Sequence, residues 1–135
     1  MKILIDTNVV LDLILEREPF VTPALHLMAQ IDQGHVEGYI AATTITNLFY
    51  IVRKTEGREV ALDVIKQLTE NLKLCSVDHE TIQTALNLDL KDFEDGVQLA
   101  CATLNKLDCI VTRDRQDFAG SPLPVFSPTE FLQQI

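Results

Sequence analysis

Cysteine is scarce in this sequence and follows no recognisable spacing. The three cysteines, Cys75, Cys101 and Cys109, form no C-x-x-C pair and no cysteine–histidine pattern, which argues against a structural zinc site and against a disulfide framework. We therefore expect reduced cysteines in the core. Long apolar runs are lacking as well, because one of the longest, residues 9–15, is interrupted by Asp12 and is far shorter than the about 20 residues that span a bilayer. We expect a cytoplasmic protein with no membrane segment.

Basic residues are outnumbered. The sequence has 11 lysines and arginines against 20 aspartates and glutamates, which gives a net charge of -9. Proteins that hold phosphate backbones by charge alone carry a basic face, so any nucleic acid bound here would need help from cations. The acidic excess has two interpretations that stay open at this point: a cluster of carboxylates around a metal ion, or solubility alone.

Several signatures of catalysis are also missing. There is no glycine-rich phosphate loop, no G-x-S-x-G nucleophile motif and no H-E-x-x-H zinc motif. The histidines His26, His35 and His79 stand alone, and we expect them at the surface or in packing contacts. The acidic residues are therefore the remaining candidates for chemistry.

Short apolar runs alternate with longer segments of helical periodicity, within a length of 135 residues that suits one folding unit spanning 1–135. The predicted strands are residues 2–5, 38–41, 73–77, 109–112 and 125–126. The predicted helices follow Asn8, run over 22–34, from Thr43 or Thr44 to 57, over 58–72, from Asp78, over 92–104 and from Pro128. This alternation predicts an α/β fold with three layers, α/β/α, around a mainly parallel sheet of four to five strands.

Four aspartates are predicted at one edge of that sheet. Asp6 follows the first strand, Asp114 follows the strand at 109–112, and Asp92 and Asp95 begin the helix before that strand. Ligands of open parallel sheets bind beyond the carboxyl ends of the strands. Carboxylates with open coordination positions are what hard cations such as Mg²⁺ and Mn²⁺ require for phosphodiester cleavage.

Each aspartate also has a purely structural interpretation. Asp6 suits a turn or a helix N-cap, Asp92 suits an N-cap, which we favour, and Asp114 suits the start of a turn. We expect three other aspartates on exposed faces or in loops: Asp12, Asp63 and Asp108.

Three segments in order carry a family resemblance. Ile3–Asn8, Asp92–Asp95 and Ile110–Asp114, the last followed by Asp117 and Phe118, resemble the PIN domain across the whole chain. The sequence is most similar to the small single-domain PIN proteins that include the VapC-type toxins of bacterial toxin-antitoxin pairs. Each motif is short, but their ordered set is fairly specific.

The resemblance implies a metal-dependent ribonuclease that uses Mg²⁺ or Mn²⁺. In it, Asp6, Asp95 and Asp114 correspond to the metal-binding and catalytic acids, with Asp92 and Asp117 as additional or outer members. Thr7 and Asn8 match positions that orient the first aspartate, and Thr112 matches a hydroxyl near the site. The resemblance also implies an RNA substrate, a homodimer and a small antitoxin partner.

One position departs from the family pattern. The family usually places a glutamate one turn into the helix after the second strand, and Asn47 stands there in this sequence. Asparagine offers an oxygen without a charge, which would weaken metal binding; it can also bond locally after a Thr44 cap. The alternative hypothesis is therefore a catalytically weakened domain that binds protein or RNA. The apolar stripe of the same helix, with Phe49 and Tyr50, could face the core or a second subunit, and we expect the core.

Overall fold

A five-stranded sheet with helices on both faces forms the protein. The computed structural model describes residues 1–135. The strands are β1 Lys2–Ile5, β2 Glu37–Ala41, β3 Lys73–Cys75, β4 Cys109–Val111 and β5 Val125–Phe126. The helices are α1 Thr7–Ile14, α2 Val21–Asp32, α3 Ala42–Glu56, α4 Arg58–Asn71, α5 His79–Leu88, α6 Phe93–Leu104 and α7 Pro128–Leu132, with a 3₁₀ turn at Arg115–Phe118.

The strand order is β3-β2-β1-β4-β5, and every neighbouring pair is parallel. Successive side chains of a strand point to opposite faces, and β1 shows the consequence. Ile3 and Ile5 belong to one apolar cluster, which packs against α1, α2, α3 and α4, whereas Leu4 belongs to a second cluster against α5 and α6. The predicted three-layer α/β fold with a parallel sheet is confirmed. None of the helices has both the length and the apolar composition required to cross a lipid bilayer.

The central position of β1 and β4 places the candidate site. Both strands are buried on both faces and pair directly, with Ile5 opposite Val111. The residues that follow them, Asp6 and Thr112, therefore emerge side by side at the carboxyl edge. The amide of Asp6 continues the ladder by donating to the carbonyl of Val111 at 2.9 Å.

Of three expectations about burial, the structure confirms the one for the cysteines and contradicts those for Asp12 and Tyr50. The cysteines are buried and form no disulfide, as expected. The expectation that Asp12 is exposed is wrong: it is 2% exposed, because the guanidinium groups of Arg113 and Arg17 approach its carboxylate at 3.2 and 3.7 Å. The core position expected for Tyr50 is also wrong, since 64% of this residue is exposed.

Candidate metal centre

Asp6 is the most deeply placed acid of the site. It is 4% exposed, and both of its carboxylate oxygens accept hydrogen bonds from side chains far away in the sequence. Gln98 Nε2 donates to Oδ1 at 2.9 Å, and Thr112 Oγ1 donates to Oδ2 at 2.7 Å. Asp6 precedes α1 but makes no capping hydrogen bond with its side chain. Its carboxylate is held by the α6 and β4 segments and not by its own helix.

Thr112 joins the two strand ends. Besides donating to Asp6, its hydroxyl accepts from the amide of Asp114 at 3.1 Å and from Asn8 Nδ2 at 3.4 Å. Asn8 Nδ2 also lies 3.3 Å from Asp114 Oδ2. A second hydroxyl pair, Thr7 and Thr44 at 2.9 Å, connects α1 to α3. Thr44 is thus engaged in tertiary contact instead of capping α3, which begins at Ala42.

The first turn of α6 supplies three more acids. Asp92 is the N-cap, as the sequence favoured, and its side chain accepts from the amide of Asp95 at 3.1 Å. Glu94 and Asp95 follow in the first turn, where the helix macrodipole favours negative charge. Gln98 lies one turn further along α6 and so extends from the same face towards Asp6.

These side chains line one open cavity of about 520 Å³. Its polar lining is Asp6, Thr7, Asn8, Asn47, Asp92, Glu94, Asp95, Gln98 and Asp117, with Leu11, Tyr50 and Ile51 on the apolar side. A second cavity of about 560 Å³ shares Asp92, Asp95 and Asp117 and adds Lys91 and Gln116. The two cavities therefore form a continuous acid-lined surface at the carboxyl edge of the sheet.

Crowding of these acids perturbs their protonation. Burial, together with the negative charges of Asp6, Asp92 and Asp117, raises the pKa of Asp95 from 3.8 to about 7. Burial also raises the pKa of Asp6, although its hydrogen bonds from Thr112 and Gln98 counteract part of that rise. Carboxyl groups whose pKa is raised this far, because the charged form is disfavoured, are common in functional sites.

Asn47 contacts the acids directly. Its Nδ2 donates to Glu94 Oε1 at 2.8 Å, so α3 and α6 are joined across the cavity. The local hydrogen bond considered for Asn47 after a Thr44 cap is absent from the structure. Burial raises the pKa of Glu94, and the hydrogen bond from Asn47 counteracts that rise.

The residues fit a hard divalent cation by their chemistry. The acidic lining offers oxygen donors only, and no histidine or cysteine lines the cavity, which suits Mg²⁺ or Mn²⁺. Gln98 is 1% exposed, and its Oε1 has no hydrogen-bond partner although the side chain lines the cavity. No three acidic, histidine or cysteine side chains have the spacing of a formed metal site, so the more exposed carboxylates would have to turn towards Asp6 to share one ion.

The structure brings most, but not all, of the expected residues together. Asp6, Asp92, Asp95 and Asp117 line the cavity with Thr7, Asn8 and Asn47, and Thr112 reaches it through Asp6. Asp114 does not line this cavity; it lines a neighbouring one that it shares with Asp117, and the rest of that lining is Arg113, Arg115, Gln116 and Ser127. The physical reason is the 3₁₀ turn at Arg115–Phe118, which carries the chain past Asp114 and returns Asp117 to the acids.

Two polar lining residues, Glu94 and Gln98, were not among the expected site residues. Glu94 stood inside the Asp92–Asp95 motif without an assigned role. Gln98 had a detectable signal, because it is the one amide within the otherwise apolar stretch 96–102 of a buried helix. A polar side chain at such a position requires a polar partner, and here that partner is Asp6.

Comparison with known proteins agrees with this architecture. Residues 2–116 match the family model described as the PIN domain. No curated protein sequence is similar enough to count as a match.

Solved structures share the fold at low sequence identity. A toxin-antitoxin complex from Klebsiella pneumoniae is 22% identical, with 93% of this chain and 96% of that chain covered and a TM-score of 0.70. VapBC-1 from nontypeable Haemophilus influenzae is 16% identical, with 96% of this chain and 99% of that chain covered and a TM-score of 0.73. VapC20 from Mycobacterium tuberculosis, a sarcin-ricin loop cleaving toxin, is 13% identical, with 87% and 93% covered and a TM-score of 0.69. Because the family model spans most of the sequence, the chain belongs to the PIN domain family.

Proposed function

We propose that this protein is a Mg²⁺- or Mn²⁺-dependent endoribonuclease that hydrolyses RNA phosphodiester bonds. One observation carries the proposal: acids that follow β1, begin α6 and lie in the turn after β4 line a single open cavity. Their separation along the chain means that the fold, and not local sequence, assembles them. An all-oxygen donor set beside an open surface is suited to phosphodiester chemistry.

The chain's own residues have distinct parts in this proposal. Asp6, Asp95 and Asp117 would hold the cation, and Asp92 caps the first turn of α6. Gln98 and Thr112 fix both oxygens of Asp6, so this carboxylate has little freedom to turn. When bound, a divalent cation offsets phosphate charge and lowers the pKa of an attacking water.

Asp117 and Asp114 are alternative third acids, and the geometry favours Asp117. The charge of Asp117 contributes to the raised pKa of both Asp6 and Asp95, and its side chain lines both acidic cavities. Asp114 instead lies against Asn8 and Thr112. We therefore assign Asp117 to the cation and Asp114 to the support of the loop.

Similar structures supply the biological context of the proposal. The structure from Klebsiella pneumoniae is a toxin-antitoxin complex, and VapC20 is described as a toxin that cleaves the sarcin-ricin loop. By this likeness we propose that the chain is the toxin of such a pair. A basic segment of an antitoxin would complement the acidic cavity, whose rim carries Tyr50 and Ile51. Sedimentation velocity of the chain alone tests the homodimer that the family resemblance implies.

The nuclease proposal is tested by metal titration followed by RNA cleavage. Calorimetry with Mn²⁺ should show binding to the wild-type protein, and a mixed pool of unstructured RNA oligonucleotides should be cut only with metal present. Asp95→Asn and Asp117→Asn should lose both properties, and Asp114→Asn should lose less. Asp63→Asn, at an exposed site in α4 away from both cavities, is the matched control. No cleavage with either metal, together with no metal binding, would count decisively against the proposal.

A second function, an RNA- or protein-binding module without catalysis, is favoured by Asn47. This neutral residue occupies the position where the family resemblance leads one to expect a glutamate. The same calorimetry separates the two functions. Binding that Asp6→Ala abolishes supports the nuclease, whereas RNA binding by a wild-type protein that takes up no metal at millimolar concentration supports the module.

A further inference from the structure

We propose that Glu94 is an additional carboxylate of the metal centre and that Asn47 is its positioning residue. The inference rests on the proposed function and deepens it. It adds the carboxylate of Glu94, in α6, to the metal centre and places that carboxylate beside α3, where Asn47 binds it. Two observations support it: Asn47 Nδ2 donates to Glu94 Oε1 at 2.8 Å, and both side chains line the cavity that contains Asp6 and Asp95.

The position of Glu94 in its helix makes this contact possible. Glu94 is the second residue of α6, after the Asp92 N-cap, so its backbone amide lies in the positive first turn and its carboxylate is compatible with the helix dipole. Without a partner, a glutamate at this position would point into solvent. In this structure the side-chain amide of Asn47 donates to one carboxylate oxygen of Glu94 across the cavity. A hydrogen bond to a charged acceptor is stronger than one between neutral groups.

Gln98 provides an independent sign that a ligand belongs beside Glu94. The two residues are four positions apart on α6, which places them on the same helix face. Gln98 is 1% exposed, and its Nε2 donates to Asp6, but its Oε1 has no hydrogen-bond partner. Buried carbonyl oxygens are nearly always satisfied. A hydrated cation among Asp6, Asp95 and Glu94 would supply the missing partner.

The charges explain why the pair is asparagine with glutamate. A carboxylate at position 47 would lie within hydrogen-bonding distance of Glu94, and two carboxylates that close repel each other. With Asn47, the α3–α6 contact carries one negative charge and remains attractive. The exchange of the two residue types should therefore preserve both the contact and the charge, with the carboxylate now carried by α3.

Three variants test the inference through Mn²⁺ affinity measured by calorimetry. Glu94→Gln keeps an oxygen that accepts from Asn47 but removes the charge, and we expect about a tenfold weaker Mn²⁺ affinity, in the range seen when groups around a metal site are altered. Asn47→Ala leaves the charge but releases it, and we expect a smaller loss of a few-fold. The exchange variant, Asn47→Glu with Glu94→Gln, should return the affinity to within about threefold of wild type.

Glu80→Gln is the matched control. Glu80 is also the second residue of its helix, α5, in its first turn after an aspartate N-cap, and it lines neither acidic cavity. Its replacement should leave Mn²⁺ affinity unchanged. Thermal unfolding of each metal-free variant separates a metal role from a purely structural one, because Glu94→Gln should not lower the midpoint.

Several outcomes would overturn the inference. If Glu94→Gln binds Mn²⁺ like wild type while Asp95→Asn does not bind it, Glu94 is not part of the centre and only this inference fails. If Asn47→Ala and Glu94→Gln both lower the metal-free midpoint without changing affinity, the pair is a structural tie between α3 and α6. If the wild-type protein binds no Mn²⁺, the proposed function fails and this inference fails with it.

Discussion

Replacement of Asp95 by asparagine should stabilise the metal-free protein at neutral pH. Burial and the charges of Asp6, Asp92 and Asp117 raise the pKa of Asp95 from 3.8 to about 7. A carboxyl group whose pKa is higher in the folded than in the unfolded chain binds its proton more tightly when folded. Its contribution to stability is therefore complete below pH 3.8 and is lost as the pH rises through about 7. Asparagine carries no charge and escapes that loss.

The magnitude follows from the shift and from the exposure of the side chain. One pKa unit corresponds to about 1.4 kcal/mol, so the full shift would be worth about 4 kcal/mol. Asp95 is only partly buried, and solvent screening reduces this to about 1–2 kcal/mol. Loss of the favourable interaction with the α6 dipole opposes the gain by about 0.3–1 kcal/mol. The net effect should favour Asp95→Asn by about 1 kcal/mol at pH 8, and the gain should be smaller at pH 5, where the folded chain holds more of the Asp95 proton.

Thermal unfolding followed by circular dichroism, with a chelator present, checks this at both pH values. The midpoint of Asp95→Asn should exceed that of wild type by a few degrees at pH 8, since 1 kcal/mol shifts the midpoint by about 3–5 °C in a domain of this size. Asp63→Asn should show no such pH-dependent gain. Addition of Mn²⁺ should raise the wild-type midpoint and leave that of Asp95→Asn unchanged. A metal-free Asp95→Asn that is less stable at pH 8, or equally shifted at both pH values, would refute the reasoning.

Three further substitutions probe the contacts around the site. Gln98→Leu removes a donor to buried Asp6 and should lower the free energy of unfolding by about 1–3 kcal/mol in urea denaturation; an unchanged value would mean that this hydrogen bond contributes nothing. Thr112→Val keeps the side-chain shape but removes the other donor to Asp6, and calorimetry should show at least about tenfold weaker Mn²⁺ binding, which wild-type affinity would contradict. Arg113→Ala leaves the carboxylate of Asp12 buried without its nearer partner and should cost about 1–3 kcal/mol at pH 7. That cost should diminish in acid, where Asp12 is protonated, and a loss that is the same at all pH values would show that the charge pair is not its cause.

The spacing of apolar residues was sufficient to predict the three layers of the fold. Strands buried on both faces are short continuous apolar runs, whereas amphipathic helices place apolar residues three or four positions apart. The ends of the elements depended on tertiary contacts that periodicity does not contain. The third strand was predicted to reach residue 77 but ends at Cys75. Cys75 pairs with Ala41, which is the last residue of β2, so the residues beyond Cys75 have no partner strand.

The site was predictable as a location but only in part as a set of residues. Chain order and parallel topology were enough to place Asp6 and Asp95 at the same edge. The choice between Asp114 and Asp117 depends on a single 3₁₀ turn, whose direction no hydrophobic pattern records. The pairing of Asn47 with Glu94 was inaccessible for a similar reason, since it depends on how closely α3 and the start of α6 approach each other.

The charge balance of the cavity supports the proposed cation, because folding alone gives no reason for it. Five acidic side chains line it and no lysine or arginine does, whereas the positive end of a helix is worth only about half an elementary charge. Solubility would be served equally well by acids spread over the surface, where their charges are solvated and interact weakly. Acids that are instead gathered and partly buried, with the pKa of Asp95 raised to about 7, lower the stability of the folded chain. A ligand that binds only the folded state offsets such a loss by an amount that grows with the logarithm of its concentration over its Kd, and the divalent cation that we propose would be such a ligand.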